Sequence, residues 1–201
     1  LTRQLLAYSG RAALGVRPLD VNQVVDEMVH LLSVSIPKNV DLQFDLAADL
    51  PAVRADAAQL QQVVMNLVTN AAEALGGRDG AVRLATRLER VDDPTSIAPP
   101  HGEPPAAGDF VVLEVRDDGC GMPQDVLQRI FDPFFTTKQA GRGLGLSAML
   151  GILRGHRSGL RIASEPGRGS CFTLYFPAQR DAAPGEGPPP GEAKLPRGLR
   201  A

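Results

Sequence analysis

Between residues 57 and 75 the apolar side chains Leu60, Val63, Val64, Leu67, Val68, Ala71 and Leu75 recur at i, i+3, i+4, i+7. That spacing gathers them on one stripe of an α-helix, and a stripe this continuous has to be buried against a second layer. Asp56 and Gln59 form a capping-box signature at its start, and Gly76-Gly77 ends it. Beside the apolar stripe, Asn66, Asn70 and Glu73 fall at i, i+4, i+7, a polar line on an adjoining face. Asparagine is a mediocre helix former, and an ordinary solvent face would use Glu, Lys or Gln. A carboxamide, however, offers an uncharged oxygen to a hard cation and an NH2 to an anion, which suits a magnesium–phosphate site.

The rest of the chain supplies that second layer. "LTRQLLAYSGRA" carries Leu1, Leu5 and Tyr8 at helical spacing, and "GVRPLD" breaks it. Asp20 and Gln23, in capping-box positions, open a helix with Val24, Val25, Met28, Leu31 and Leu32 as its stripe, and Pro37 closes it. "VDLQFDL", "AVRLATRLERV" and "DFVVLEVRDD" read as strands. The proline-rich "DDPTSIAPPHGEPPAAG" between the last two reads as a mobile hairpin loop. "MPQDVLQRIF" is a short helix with Pro123 at its first position, and "LGLSAMLGILRGH" a helix that starts after glycines. "GLRIASEPGRGSCFTLYFP" is a closing β-hairpin, and from Ala178 on the Pro/Gly/Ala-rich chain is a linker or tail. This order predicts an α+β fold, one mixed sheet with helices on a single face.

Composition narrows the function classes. Apolar residues at 43% and charged residues at 22% are those of a soluble globular domain. A formal net charge of −2 gives no electrostatic case for nucleic acid or an acidic membrane surface. No apolar run reaches bilayer length, and the N-terminus resembles no signal peptide. Leu1, not Met, opens the chain inside a helical pattern, as expected of a piece of a longer protein. Cys120 and Cys171 lack the partners of a zinc site and are expected to be reduced thiols.

Three further stretches carry candidate chemistry. In "RDDGCGM", Asp117 ends an apolar strand and Gly119 and Gly121 follow at DxGxG spacing. A tight turn explains this pattern; so does a carboxylate on a pocket wall that accepts the adenine N6 amine and rejects the guanine carbonyl. In "GRGLGLS", residues 141–147, glycines precede a helix and leave N–H groups suited to phosphates, although the pattern is neither a P-loop nor GxGxxG. "FDPFFTTK" holds three of the seven phenylalanines and Lys138, which is either solvated or a phosphate contact.

In order and spacing, "NLVTNAAEAL", "DDGCGM", "FDPFFTTK" and "GRGLGLS" resemble the N, G1, F and G2 boxes of the sensor histidine kinase ATP-binding domain. That family belongs to the GHKL superfamily with the Bergerat fold, a two-layer α/β sandwich. The resemblance covers residues 1 to about 177: residues 1–17 resemble the end of the dimerisation and histidine-phosphotransfer hairpin, residues 18–177 the catalytic ATP-binding domain, leaving 178–201 as tail. By motif it implies that Asn70 binds Mg2+ on the triphosphate, with Asn66 supporting that ion or orienting the nucleophile. Asp117 would take the adenine amine, with Gly119 and Gly121 shaping its wall. Gly141, Arg142, Gly143, Leu144, Gly145 and Leu146 would line the phosphates, and Lys138 would contact the γ-phosphate.

The resemblance also implies ATP and Mg2+ as cofactors, a histidine acceptor, a response-regulator receiver domain as partner and a homodimeric full-length protein. It places the domain in the cytoplasm, whether or not the whole protein is membrane-anchored. Three features depart from the pattern. Glu73 stands where many members carry Lys, which leaves its role open. Few residues separate Lys138 from Gly141, implying a compact lid. His30, His101 and His156 all lie outside an H-box context, so the acceptor is expected upstream of residue 1. Two alternatives stand beside the kinase: a GHKL ATPase, which would typically carry glutamate at position 66 as a base, and a non-catalytic nucleotide-binding pseudokinase.

Overall fold

The structure, a computed structural model, describes residues 15–138 and 143–179. The helical pattern at residues 1–8, the glycine and arginine at 141 and 142, and the tail beyond 179 lie outside the described residues.

Among the described residues, seven strands and four α-helices follow the order β1 (Arg17–Leu19), α1 (Val21–Ser35), β2 (Val40–Leu46), β3 (Val53–Ala55), α2 (Ala57–Ala74), β4 (Gly80–Val91), β5 (Gly108–Asp117), α3 (Gln124–Leu127), α4 (Gly145–Gly155), β6 (Gly159–Glu165) and β7 (Gly169–Pro177). Five strands form one sheet in the order β2-β4-β5-β7-β6. β2 runs parallel to β4, with Val40 opposite Gly80, and the other neighbours are antiparallel. The sheet is therefore mixed, as expected.

Alternation along the strands decides where the core sits. Val82 and Leu84 of β4, Val111, Leu113 and Val115 of β5, and Phe172, Leu174 and Phe176 of β7 all point to one face. There they meet the buried stripes of α1, α2 and α4, including Met28, Leu32, Val64, Leu67, Met149 and Leu153. Both long N-terminal helices are capped by aspartate. The Asp20 side chain accepts from Asn22 N–H at 2.8 Å and Asp56 Oδ1 from Gln59 N–H at 3.1 Å. Only the Asp56 cap reaches the third helical position a capping box requires; Gln23 instead donates to Glu27 Oε1.

Several local expectations are corrected. The proline-rich 92–107 connection is not a free loop. Asp93 caps a 3-10 turn at Pro94–Ile97, and Ile97 is fully buried in a second cluster with Val91, Phe110, Val112 and Tyr175. Those strand residues belong to the face opposite the helices, so the connection covers one corner of it. Arg154 of α4 holds the same segment by donating to the Pro100 carbonyl. α3 is a single turn with Pro123 as N-cap rather than first helical residue. Two three-residue strands escaped the periodicity reading: β1 pairs with β3, Arg17 opposite Ala55. β1 thus straddles the expected junction at residue 17. At the other end Ala178 and Gln179 still pair, donating to the Asp109 and Ala52 carbonyls.

Candidate functional site

A cavity of about 580 Å3 opens between α2, the end of β5, α3 and the N-terminus of α4. Its lining includes Asn66, Asn70, Glu73, Asp117, Gly121 and Lys138 from the sequence-derived set, together with Gly143, Leu144, Gly145 and Leu146. Gly119 stands behind the wall rather than on it. A Cβ there would lie 2.6 Å from Asp117 Oδ1 and 2.7 Å from Ala74 Cβ, so only glycine lets the chain pass between that carboxylate and α2. Two larger depressions flank the 98–109 connection, of about 1080 and 760 Å3, but neither is lined by the paired amides or Asp117.

Helical spacing sets Asn66, Asn70 and Glu73 in line along the cavity side of α2. Asn66 Nδ2 donates to the Gly145 carbonyl at 3.2 Å, tying α2 to the first turn of α4 and leaving Asn66 Oδ1 without a partner among the described residues. One turn on, Asn70 Oδ1 accepts from Lys138 Nζ at 2.8 Å, and the same ammonium donates to Glu73 Oε2.

Asp117 lies at the cavity base, 4% exposed. Its Oδ1 accepts from Gly119 N–H at 2.8 Å and from Ser170 N–H at 3.3 Å, while Oδ2 has no partner among the described residues. Burial pushes its carboxyl above the usual range, opposed by the two N–H donors and by the Lys138 charge. A buried carboxylate with one oxygen unengaged is poised for an external donor.

The glycine-led approach to α4 leaves the helix start bare. Among the described residues no side chain caps it, and Leu144 stands at the N-cap position. Uncapped N–H groups beside a cavity form an anion-binding terminus. Gly143 takes φ +64°, and a Cβ on it would run into the backbone of Phe134 and Phe135. That close approach is fixed by Phe134 N–H donating to the Gly143 carbonyl at 3.0 Å. Gly121, at φ +63°, is packed against the Glu165 carbonyl with no room for a side chain.

The "FDPFF" aromatics divide their work: Phe131 packs on the core, Phe135 lines the cavity with the Arg129 guanidinium 4.4 Å from its ring centroid, and Phe134 is 70% exposed. Sequence reading missed Ser170, whose amide helps hold Asp117, and the apolar wall of Met122, Ile130 and Phe172. Ser170 carries no motif; its register opposite Asp117 across β5 and β7 places it there. His30 and His101 are exposed and absent from this lining, and His156 is buried at the end of α4, accepting from Asp56 N–H at 2.9 Å.

Comparison with known proteins identifies the family and the fold. Residues 55–180, more than half of the chain, match the family described as histidine kinase-, DNA gyrase B-, and HSP90-like ATPase. The chain is 39% identical over 179 residues to the sensor kinase CckA of Brucella abortus (strain 2308), covering 88% of this chain and 18% of that protein. It is 34% identical over 184 residues to the sensory histidine kinase/phosphatase NtrB of Rhizobium leguminosarum bv. phaseoli, covering 91% and 47%. The chain thus spans less than half the length of these relatives. Among solved structures, the nucleotide-free catalytic domain of histidine kinase ThkA is 27% identical with a TM-score of 0.64, covering 81% of this chain and 95% of that one. Full-length ShkA in complex with AMPPNP, 24% identical, shares the fold with a TM-score of 0.68 over 90% of this chain and 36% of that one. With the motifs in family order around one cavity, the chain belongs to the histidine kinase-, DNA gyrase B- and HSP90-like ATPase family, in the branch whose named relatives are sensor histidine kinases.

Proposed function

We propose that this chain binds ATP with Mg2+ in the α2–α4 cavity and donates the γ-phosphoryl group to a histidine on a dimerisation hairpin of the full-length, dimeric protein, for relay to a receiver-domain aspartate. The observation that carries the reading is convergence: two amides, a buried carboxylate with a free oxygen, a lysine and an uncapped helix start line one cavity.

Asp117 Oδ2 accepts the adenine amine; guanine would bring a carbonyl against the same oxygen, so two acceptors would face each other. The Asn66 and Asn70 oxygens suit a hard cation, and the Lys138 ammonium already rests on Asn70 Oδ1. No cluster of three carboxylate, histidine or cysteine ligands exists among the described residues; Asn66 and Asn70 would be the protein groups that hold the ion. When bound, Mg2+ supplies charge neutralisation along the triphosphate. The backbone N–H groups at the start of α4 take phosphate oxygens, and Lys138 adds positive charge at the γ end. Gly141 and Arg142 are assigned to the phosphates by motif alone.

Asn66 favours the kinase over an ATPase, because an amide cannot take a proton from attacking water. Asn70→Ala is expected to abolish calorimetrically detectable Mg-ATP binding while far-UV circular dichroism stays unchanged. Tight nucleotide binding by that variant would overturn the assignment.

A further inference from the structure

Phosphate chemistry does not account for Glu73. A carboxylate on the wall of a triphosphate site adds charge of the wrong sign. The structure gives it a partner instead. Lys138 Nζ sits between Asn70 Oδ1 and Glu73 Oε2, two oxygens presented three residues apart from one face of α2. Two cations cannot both rest against the same amide oxygen without strong repulsion. The ammonium therefore occupies the Asn70 oxygen on which the proposed function depends.

The geometry points to Glu73 as a positioning residue that holds Lys138 over Asn70 in the nucleotide-free protein, so that the lysine stands in for the metal and has to be released before a metal–nucleotide complex can seat. This rests on reading the cavity as an Mg-nucleotide site. The charges balance at each stage. In the free protein the ammonium is neutralised by Glu73; after release it is neutralised by phosphate, and Glu73 turns to solvent. Solvent access makes the exchange feasible, since the Lys138 and Glu73 side chains are 38% and 59% exposed. A pair that exposed is weak enough to yield to a triphosphate and is expected to hold nucleotide affinity down by about two- to fivefold.

The test compares the parent, Glu73→Gln, Lys138→Met and the double variant by two readouts. The first is the Kd of Mg-AMPPNP; the second is amide hydrogen exchange across 133–138 without nucleotide. Glu73→Gln is expected to tighten binding by about two- to fivefold when Lys138 is present and by less in the Lys138→Met background, because only the former has an ion pair to break. Exchange across 133–138 is expected to rise in nucleotide-free Glu73→Gln. Equal or greater tightening in the Lys138→Met background would mean that the pair survives binding, and overturns the inference. Weaker binding by Glu73→Gln would make Glu73 a metal or ligand contact and overturn it as well, as would unchanged exchange. If the parent protein binds no nucleotide, the site reading fails, and the exchange comparison alone then decides whether Glu73 holds Lys138.

Discussion

Asp117 shows how one side chain serves two demands. Its Oδ1 is engaged by the Gly119 and Ser170 amides, and its Oδ2 is left for a ligand. Asn at this position supplies only one oxygen, so under the proposed function either the backbone donors or the adenine amine lose their acceptor. Asp117→Asn is therefore expected to weaken ATP binding by about 1–3 kcal/mol, read from the Kd, and to narrow the gap between ATP and GTP. The pH dependence follows from the raised carboxyl pKa. Burial favours the protonated form, so the residue's contribution to stability is fully present below the ordinary aspartate pKa and is lost as pH rises through the raised one. At neutral pH Asp117→Asn should thus fold at least as stably as the parent in denaturant titration while binding less well. The motif exposed Asp117, but not that burial would shift its titration.

At the scale of elements, the long stretches were legible and the short ones were not. α2 runs Ala57–Ala74, with Leu60, Val63, Val64, Leu67, Val68 and Ala71 buried, as its stripe requires. β1 and β3, three residues each, are too short for a period and exist only because they pair with one another. The 92–107 connection misled for a different reason. Its prolines suggest an unpacked loop, yet its one large aliphatic side chain, Ile97, finds a site on the sheet, where Gly159 leaves room for it. Ile97→Ala is expected to destabilise the domain by about 2–4 kcal/mol in chemical denaturation and to open 92–107 to proteolysis. A freely mobile loop would show neither effect.

At the scale of the whole molecule, the cavity exists because a mixed sheet and its helix layer hold the motifs at fixed distances. Asn66 bonded to Gly145 spans 79 residues of sequence, and Phe134 bonded to Gly143 joins the aromatic segment to the glycines. The relatives CckA and NtrB extend well beyond this chain. Under the proposed function, the nucleotide domain and the acceptor hairpin divide the labour. Incubated alone with labelled ATP, the chain is expected to acquire no acid-labile phosphate. Supplied in trans with a dimerisation hairpin bearing the histidine, it should phosphorylate that hairpin. Failure with both nucleotide bound and a competent hairpin present would favour the pseudokinase alternative.

What the amino-acid order determined by itself was the class of fold and a set of candidate residues, most of which line one cavity, because helical and strand periods and the box motifs are local patterns. It could not determine which partner each polar group would take. Glu73 takes as its partner Lys138, 65 residues away, and the Ser170 amide reaches Asp117 only through strand register. Such contacts form only when the chain folds and distant segments share one dielectric environment, so the pairing of charges and the engagement of buried oxygens belong to the tertiary structure.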